Sequence, residues 1–351
     1  MEVHPLVSLC MIVRDEEELL PSCLNCARPF AEQIIVVDTG STDRTVEIAT
    51  GAGAEVYRFQ WKDSFADARN EALARVKGTW ILWLDADEQL EVLDIESWLA
   101  ALRDPTLQAL AVPVVNYYGK NTVKEEDAYV LSQIRLFRSG HGVRFEGAIH
   151  EQLNVREAMP GLTTVPVLPA VIHHYGYMEA IVEVKEKRER NVSLLVAEQN
   201  KESYHPWIDY HVANLYYQEQ DYSSAIAWVN HSIRRFLEIK EVPPSMLYKL
   251  KYETLIAAGM KDEALLGIDK ALRMYPDYVD LHYCRGRLLY SKRRLEEALE
   301  EFETCLKLGD ENPIYLIQRG AGSFLAQKYA DRCRQRLGGA PAERWQGGDR
   351  A

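Results

Sequence analysis

Two patterns alternate along the first half of the chain: short runs of consecutive apolar residues, and stretches with an apolar residue at every third or fourth position. The runs are typical of buried strands, and the spaced stretches are typical of amphipathic helices. Strands that alternate with helices predict an α/β domain whose mostly parallel sheet carries helices on both faces. The predicted strands are Val7–Val13, Gln33–Val37, Ala54–Phe59 and Trp80–Leu84, separated by helices at Glu16–Cys26, Asp43–Thr50 and Ser64–Val76.

From about Leu107 the pattern becomes strand-rich and less regular. The strands predicted there are Ala109–Val115, Ser132–Phe137, Ile149–Val155 and Val165–His173. Beyond Met178 the period changes again, because the β-branched runs disappear and apolar residues recur every three or four positions. The last half of the chain is therefore predicted to be helical.

The helical half contains an internal repeat. Ala225, Ala264 and Ala298 fall at one equivalent position of three units, spaced 39 and then 34 residues apart. The longer first spacing fits an insertion around Lys240–Ser245, where two consecutive prolines break a helix. The pattern resembles tetratricopeptide repeats, which implies an all-α repeat domain. We predict an α/β domain over residues 1–178, the repeats over residues 179–337 and a flexible tail over residues 338–351.

Composition excludes several classes of protein. The net charge of −12 at pH 7 argues against a nucleic-acid binder, which needs a basic surface. The longest apolar runs are too short for a membrane helix, and the N-terminus lacks the basic start of a secretory signal. Six cysteines in a chain of 351 residues do not form a disulfide framework, and we interpret Cys23 and Cys26 as packed side chains rather than a zinc or redox pair. These features predict a cytoplasmic protein.

Acidic residues follow two of the predicted strands. Asp38 ends one strand, and residues 85–88, Asp-Ala-Asp-Glu, follow another; we call this second segment the acidic turn. Ligands collect outside the carboxyl ends of the strands in an open parallel sheet, so we expect both acidic segments at one edge. Asp85 and Asp87 are spaced to share a divalent cation such as Mn²⁺ or Mg²⁺, which prefers oxygen ligands and bridges to phosphates.

The stretches around these acids resemble the inverting glycosyltransferases of family two, which have the GT-A fold. The resemblance is carried by Ser8–Glu17, Val36–Thr45, Asp63–Asn70 and Trp80–Glu88. Together with the repeats, it extends to the subgroup that contains the S-glycosyltransferases of glycosylated bacteriocins. The resemblance implies a UDP-sugar donor, a divalent metal, and transfer of the sugar with inversion at its anomeric carbon.

The same resemblance implies a role for individual residues. Asp38 accepts a hydrogen bond from the base, usually uracil, while Val13 and Glu16 lie against the base and the ribose. Arg69 lies near the nucleotide. Asp85 contacts the ribose or the metal, and Asp87 is the principal metal ligand.

A second stretch, Phe145–Gln152, carries further candidates for the chemistry. His150 is predicted to contact the metal or the diphosphate, because such sites often need a ligand from beyond the acidic turn. Inversion requires a base on the far side of the sugar from the leaving phosphate, and Glu151 is the first candidate, with Glu146 the second. We assign His173 and His174 to packing at the domain boundary, with contact to the diphosphate as the alternative.

The acceptor is not determined by these residues. Tetratricopeptide repeats commonly present a concave surface that binds peptides, which favours a peptide or protein side chain as acceptor. A homodimer interface is the alternative use of the repeats. Two other functions remain open: a glycosyltransferase of cell-envelope polysaccharide or lipopolysaccharide core, and a non-enzymatic repeat scaffold with a relic GT-A domain.

Overall fold

The computed structural model describes residues 6–119, 122–178, 187–201 and 203–338, without the side chains of residues 187–189. Residues 339–351, nearly all of the predicted tail, lie outside the described residues. The chain divides into two compact units. The α/β unit runs to residue 196 but excludes residues 125–129, and the helical unit comprises residues 125–129 and the chain from residue 197 onward.

The α/β unit is built on one large sheet, which confirms the predicted fold class. Its strand order is β3-β2-β1-β4-β7-β6-β10-β5. The pairs on either side of β1 are parallel, whereas β7 is antiparallel to β4 and β5 is antiparallel to β10. The strands are β1 (Val7–Val13), β2 (Gln33–Asp38), β3 (Glu55–Arg58), β4 (Trp80–Trp83), β5 (Glu88–Val92), β6 (Ala109–Tyr117), β7 (Ala128–Arg138), β8 (Phe145–Glu146), β9 (Gln152–Leu153) and β10 (Ala170–His174).

Helices cover this sheet on both faces. Along β1, Leu9 and Met11 pack into one buried apolar cluster, and Cys10 packs into another on the opposite face. Burial on both faces explains why this strand reads as a continuous apolar run. The helices of the unit are α1 (Leu20–Ala27), α2 (Thr45–Gly51), α3 (Phe65–Leu73), α4 (Ile95–Arg103) and α5 (Val155–Ala158), followed by α6 (Lys187–Gln199).

One predicted strand, Ile149–Val155, is wrong. Only Gln152–Leu153 is extended there, paired with β8 in a separate two-stranded sheet. Gly147 has φ +97° and His150 has φ +52°, so the backbone turns where the apolar pattern suggested a straight strand.

The helical unit confirms the repeat prediction. Ala225, Ala264 and Ala298, the equivalent small residues, are each fully buried between neighbouring helices. The third repeat also requires a small residue at Gly286, because a Cβ there would lie 2.8 Å from the Phe302 ring. The helices are α7 (Trp207–Gln218), α8 (Tyr222–Glu238), α9 (Ser245–Ala257), α10 (Lys261–Met274), α11 (Val279–Ser291), α12 (Leu295–Leu308) and α13 (Phe324–Arg336), with a short strand β11 (Ile317–Gln318) before the last.

All six cysteines are free thiols, and burial raises the pKa of Cys23. Among the described residues, no helix combines the length and apolar character needed to span a bilayer.

Candidate active site

The acidic turn is held rigidly by a buried ion pair. Both carboxylate oxygens of Glu88 accept hydrogen bonds of 2.7 Å from Arg135, and both side chains are almost completely buried. The Arg135 guanidinium lies 3.8 Å from the centre of the Trp83 ring. Glu88 Oε2 also accepts a hydrogen bond from the backbone N–H of Asp85, at 2.9 Å. This network fixes the backbone from which Asp85 and Asp87 project.

A buried arginine joins the acidic turn to the segment after β8. Arg69 Nη2 donates to both oxygens of Asp85, at 2.9 and 3.1 Å, and Arg69 Nε donates to Glu151 Oε1 at 2.5 Å. Burial alone would lower the pKa of Arg69, but the two carboxylates raise it well above its usual value. Arg69 is therefore a fixed positive charge, and Asp85 keeps a third of its side chain exposed beside it.

Asp87 faces the end of β10. His174 Nε2 lies 3.5 Å from Asp87 Oδ1, and the backbone N–H of Tyr175 donates to the Asp87 carbonyl at 3.0 Å. A Cβ on Gly176 would lie 2.4 Å from Asp87 Oδ2 and 2.6 Å from His174 Nε2, so only glycine allows this approach. His174 Nδ1 is 2.8 Å from Asn116 Oδ1, which fixes the orientation of the ring.

Negatively charged side chains surround the imidazole of His174. Burial would lower its pKa, but the hydrogen bond with Asp87 and the charges of the acidic turn raise it overall. Since Nδ1 faces an amide oxygen and Nε2 faces a carboxylate, both nitrogens are in positions that favour a proton. The same charges would favour a metal cation bound at Nε2 in place of that proton.

The loops after β1 and β2 form the other end of the site. Val13 and Asp38 are paired across the two strands, and Asp38 Oδ1 accepts a hydrogen bond from the Ser41 N–H at 2.9 Å. The Glu16 N–H donates to Thr45 Oγ1 at 2.7 Å, which ties the first loop to the second. Because β4 is the other parallel neighbour of β1, these loops and the acidic turn follow strands that end at the same edge of the sheet.

Comparison with known proteins identifies the family. The family described as Glycosyl transferase family 2 matches residues 8–155, and the tetratricopeptide repeat matches residues 279–312. The TPR repeat-containing protein Synpcc7942_0270 of Synechococcus elongatus is 33% identical over 288 residues, which cover 78% of this chain and 67% of that protein. This chain belongs to glycosyl transferase family 2.

Two further proteins bear a weaker likeness to this glycosyltransferase. The prophage-derived glycosyltransferase SunS of Bacillus subtilis is 26% identical over 293 residues, which cover 81% of this chain and 67% of SunS. The crystal structure of S. aureus TarS 1–349 is 13% identical and covers 72% of this chain and 87% of that one, with a TM-score of 0.37. That TM-score is too low to add to the assignment.

The candidates of the β8–β9 segment have three different surroundings. Glu151 is held by Arg69, with 12% of its side chain exposed. Glu146 is half exposed and forms an ion pair of 2.6 Å with Arg144. His150 is exposed to solvent, and partial desolvation by the surrounding protein lowers its pKa to about 4. The imidazole that lies against Asp87 belongs to His174.

The residues described in this glycosyltransferase include no group of three or more His, Cys, Asp or Glu side chains arranged to hold a metal ion. The donor atoms around Asp87 nevertheless suit one, since a carboxylate oxygen and an imidazole nitrogen face each other at 3.5 Å. Asp85 differs, because both of its oxygens already accept hydrogen bonds from Arg69.

Sequence reasoning missed three residues of this site: Arg135, Asn116 and Gly176. Arg135 and Asn116 carry no local signal, because their partners lie on other strands. Gly176 belongs to the stretch His-His-Tyr-Gly-Tyr at residues 173–177, whose histidines are predicted to pack at the domain boundary, with contact to the diphosphate as the alternative. The glycine between aromatic residues, at the end of a strand, was the available sign that the backbone must approach another group closely.

Proposed function

We propose that this glycosyltransferase transfers a sugar from a UDP-sugar to an acceptor, with inversion and with the help of a divalent metal ion. The observation that carries the proposal is the position of Asp38 and Asp87 after parallel strands that end at one edge of the sheet. In open α/β sheets this edge is where ligands bind. Asp38 is positioned to bind the nucleoside of a nucleoside diphosphate sugar, and Asp87 is positioned to bind its diphosphate through a metal.

The nucleoside is assigned to the loops after β1 and β2. Asp38 is only 4% exposed, and its Oδ1 is already bonded to the Ser41 N–H, so it presents a carboxylate of fixed orientation to the base. Val13 and Glu16 flank the position proposed for the base and the ribose.

The metal, Mn²⁺ or Mg²⁺, is assigned to Asp87 as the principal ligand. When bound, it would neutralise the charge that develops on the departing diphosphate. We add His174 as a ligand because its Nε2 faces Asp87, and His150 becomes the weaker candidate. Asp85 is the second carboxylate, and Arg69 positions it for the ribose or the metal.

Glu151 remains the proposed base, with Glu146 as the second candidate. Arg69 Nε donates to Glu151 Oε1, which fixes the orientation of the carboxylate. Oε2 has no hydrogen-bond partner among the described residues and so can accept a proton. The acceptor we propose is a peptide or protein side chain, recognised by the repeats.

The test is to incubate the protein with several UDP-sugars and Mn²⁺ and to measure the release of UDP. Binding of UDP is measured separately, as the increase in melting temperature with UDP and Mn²⁺. The proposal predicts stabilisation by UDP that requires the metal, and turnover of at least one UDP-sugar. If UDP with Mn²⁺ gave no stabilisation, the nucleotide and metal assignments would be wrong.

The acceptor and the base are tested next. A mass-spectrometric search for a glycosylated partner tests whether the acceptor is a protein. Replacing Glu151 and Glu146 separately by Gln tests the base, and only the variant that lacks the base should lose transfer while it still binds UDP. If both variants kept full transfer, neither residue would be the base.

A further inference from the structure

Two layers of aromatic rings lie beside the acidic turn, at the ends of β6 and β10. The inner layer is built around Tyr117, which is 5% exposed. Its ring stacks on Tyr175 at 5.2 Å and on His173 at 5.9 Å, and its hydroxyl lies 2.8 Å from His173 Nδ1. With its ring covered and its hydroxyl bonded, this layer is structural.

The outer layer is different. Tyr118 and Tyr177 stack with their ring centres 4.9 Å apart and their planes nearly parallel, at 3°. We call these two residues the tyrosine pair. Tyr177 is 45% exposed. A backbone bridge between Gly119 and Met178, immediately after both tyrosines, holds the two strand ends together.

The tyrosine pair contacts His174, which in turn lies beside Asp87, the principal metal ligand that we propose. The Tyr177 ring meets the edge of the His174 ring at 4.7 Å, and His174 lies 3.5 Å from Asp87. The pair is thus fixed relative to the acidic turn by the same close approach that requires Gly176. Asp38, the group assigned to the base, lies at the end of β2, several strands away in the sheet order.

Such a surface suits a sugar ring. The C–H face of a hexose packs against an aromatic ring, and the phenol hydroxyl can bond the sugar hydroxyls. In a nucleotide sugar the hexose follows the diphosphate directly, so a diphosphate held at Asp87 would bring the hexose next to the tyrosine pair.

We propose that the tyrosine pair binds the hexose of the donor and contributes to the choice of sugar. The inference rests on the proposed function, because it takes the diphosphate to be held at Asp87. It concerns only how the sugar is bound and does not depend on how the nucleoside is bound.

The test compares Tyr177→Ala, Tyr177→Phe and Tyr118→Ala in the full chain, with Tyr175→Phe as the control from the inner layer. Two quantities are measured: the KM for the UDP-sugar that the wild type uses, and the Kd for UDP with Mn²⁺. We expect Tyr177→Ala to raise the KM about tenfold and to leave the Kd for UDP unchanged. Tyr118→Ala should act in the same direction, Tyr177→Phe should retain most of the affinity, and Tyr175→Phe should match the wild type.

The inference is overturned if the KM for the donor is unchanged in both alanine variants, or if the KM and the Kd for UDP rise together. It is also overturned if only the KM for an acceptor rises, since the pair would then face the acceptor. Melting temperatures of the variants separate loss of binding from loss of folding, and Tyr177→Phe, which keeps the ring, remains informative if the alanine variants are unstable. A wild type that neither binds UDP nor turns over a UDP-sugar would instead refute the proposed function itself.

Discussion

Buried carboxylates occur in both units of this glycosyltransferase, but their surroundings differ. In the helical unit, Asp209 is fully buried and accepts hydrogen bonds from Tyr204, His231 and Arg235, at 3.0 to 3.2 Å. Asp280 is likewise enclosed, by Lys249 and by the backbone N–H of Gln318. These acids are neutralised by cations or donors that belong to the packing of the repeats.

At the edge of the sheet the acids are only partly neutralised. Glu88 is buried in an ion pair with Arg135, but Asp85 keeps a third of its side chain exposed. Asp87 faces an imidazole whose pKa its own charge raises. A buried acid is therefore not by itself a sign of a site. The informative feature is a carboxylate that the fold orients but leaves open to a further cation or ligand.

The sharpest test of this contrast is Asp87→Asn. We expect UDP-sugar turnover to fall by about 100-fold or more, because the amide is a poor ligand for the proposed metal. Turnover is measured as UDP release with Mn²⁺, and the melting temperature checks that the fold is intact. Unchanged turnover would remove Asp87 from the metal site.

The matched variant in the helical unit is Asp209→Asn. It removes the charge that Arg235 and His231 face, so we expect a loss of about 2 kcal/mol in the free energy of unfolding. Turnover per folded molecule should stay at the wild-type level. Denaturant unfolding and a UDP-release assay on the same samples measure both. A loss of turnover without a loss of stability would contradict the division between structural and functional acids.

Two glycines allow the same comparison without a change of charge. Gly176→Ala places a Cβ against Asp87 and His174, and Gly286→Ala places one against the Phe302 ring. Each of the two substitutions should lower the free energy of unfolding by about 1–3 kcal/mol. Only Gly176→Ala should also weaken UDP binding in the presence of Mn²⁺, roughly tenfold, because it displaces a proposed ligand. Equal effects on UDP binding would show that the crowding acts through general destabilisation.

The smallest expected effect is that of Ser64→Ala. Ser64 caps α3 by accepting a hydrogen bond from the Asp67 N–H, and α3 carries Arg69. Losing the cap should cost about 1 kcal/mol in the free energy of unfolding. The affinity for UDP should not change, because Arg69 is held by Asp85 and Glu151 as well as by its helix. A measurable loss of UDP affinity would mean that the cap, rather than these ion pairs, sets the position of Arg69.

The parts of this protein that sequence reasoning predicted correctly depend on local patterns. The apolar runs located β1 and β2 closely, and the acids at the ends of β2 and β4 marked the edge of the sheet. Repetition located the helical unit, since a small residue at Ala225 recurs at the same position in each repeat. In each case neighbouring residues along the chain carry the information.

The parts that were missed depend on contacts between distant segments. Arg135 is 47 residues from Glu88, and Arg69 is 82 residues from Glu151. No pattern of apolar positions encodes such pairs. The metal or diphosphate contact of His150 stays a prediction from the sequence, whereas the contact between His174 and Asp87 is visible only in the folded structure.

The bridge that Arg69 makes between Asp85 and Glu151 has a consequence for engineering the enzyme. Residues 145–151 sit on a short hairpin, a natural place to exchange loops in order to alter what the enzyme accepts. An exchange that removed the carboxylate at position 151 would leave the guanidinium with a single partner and allow the aspartate to shift. Loop libraries for this protein should therefore keep an acid at 151, or vary positions 69 and 151 together.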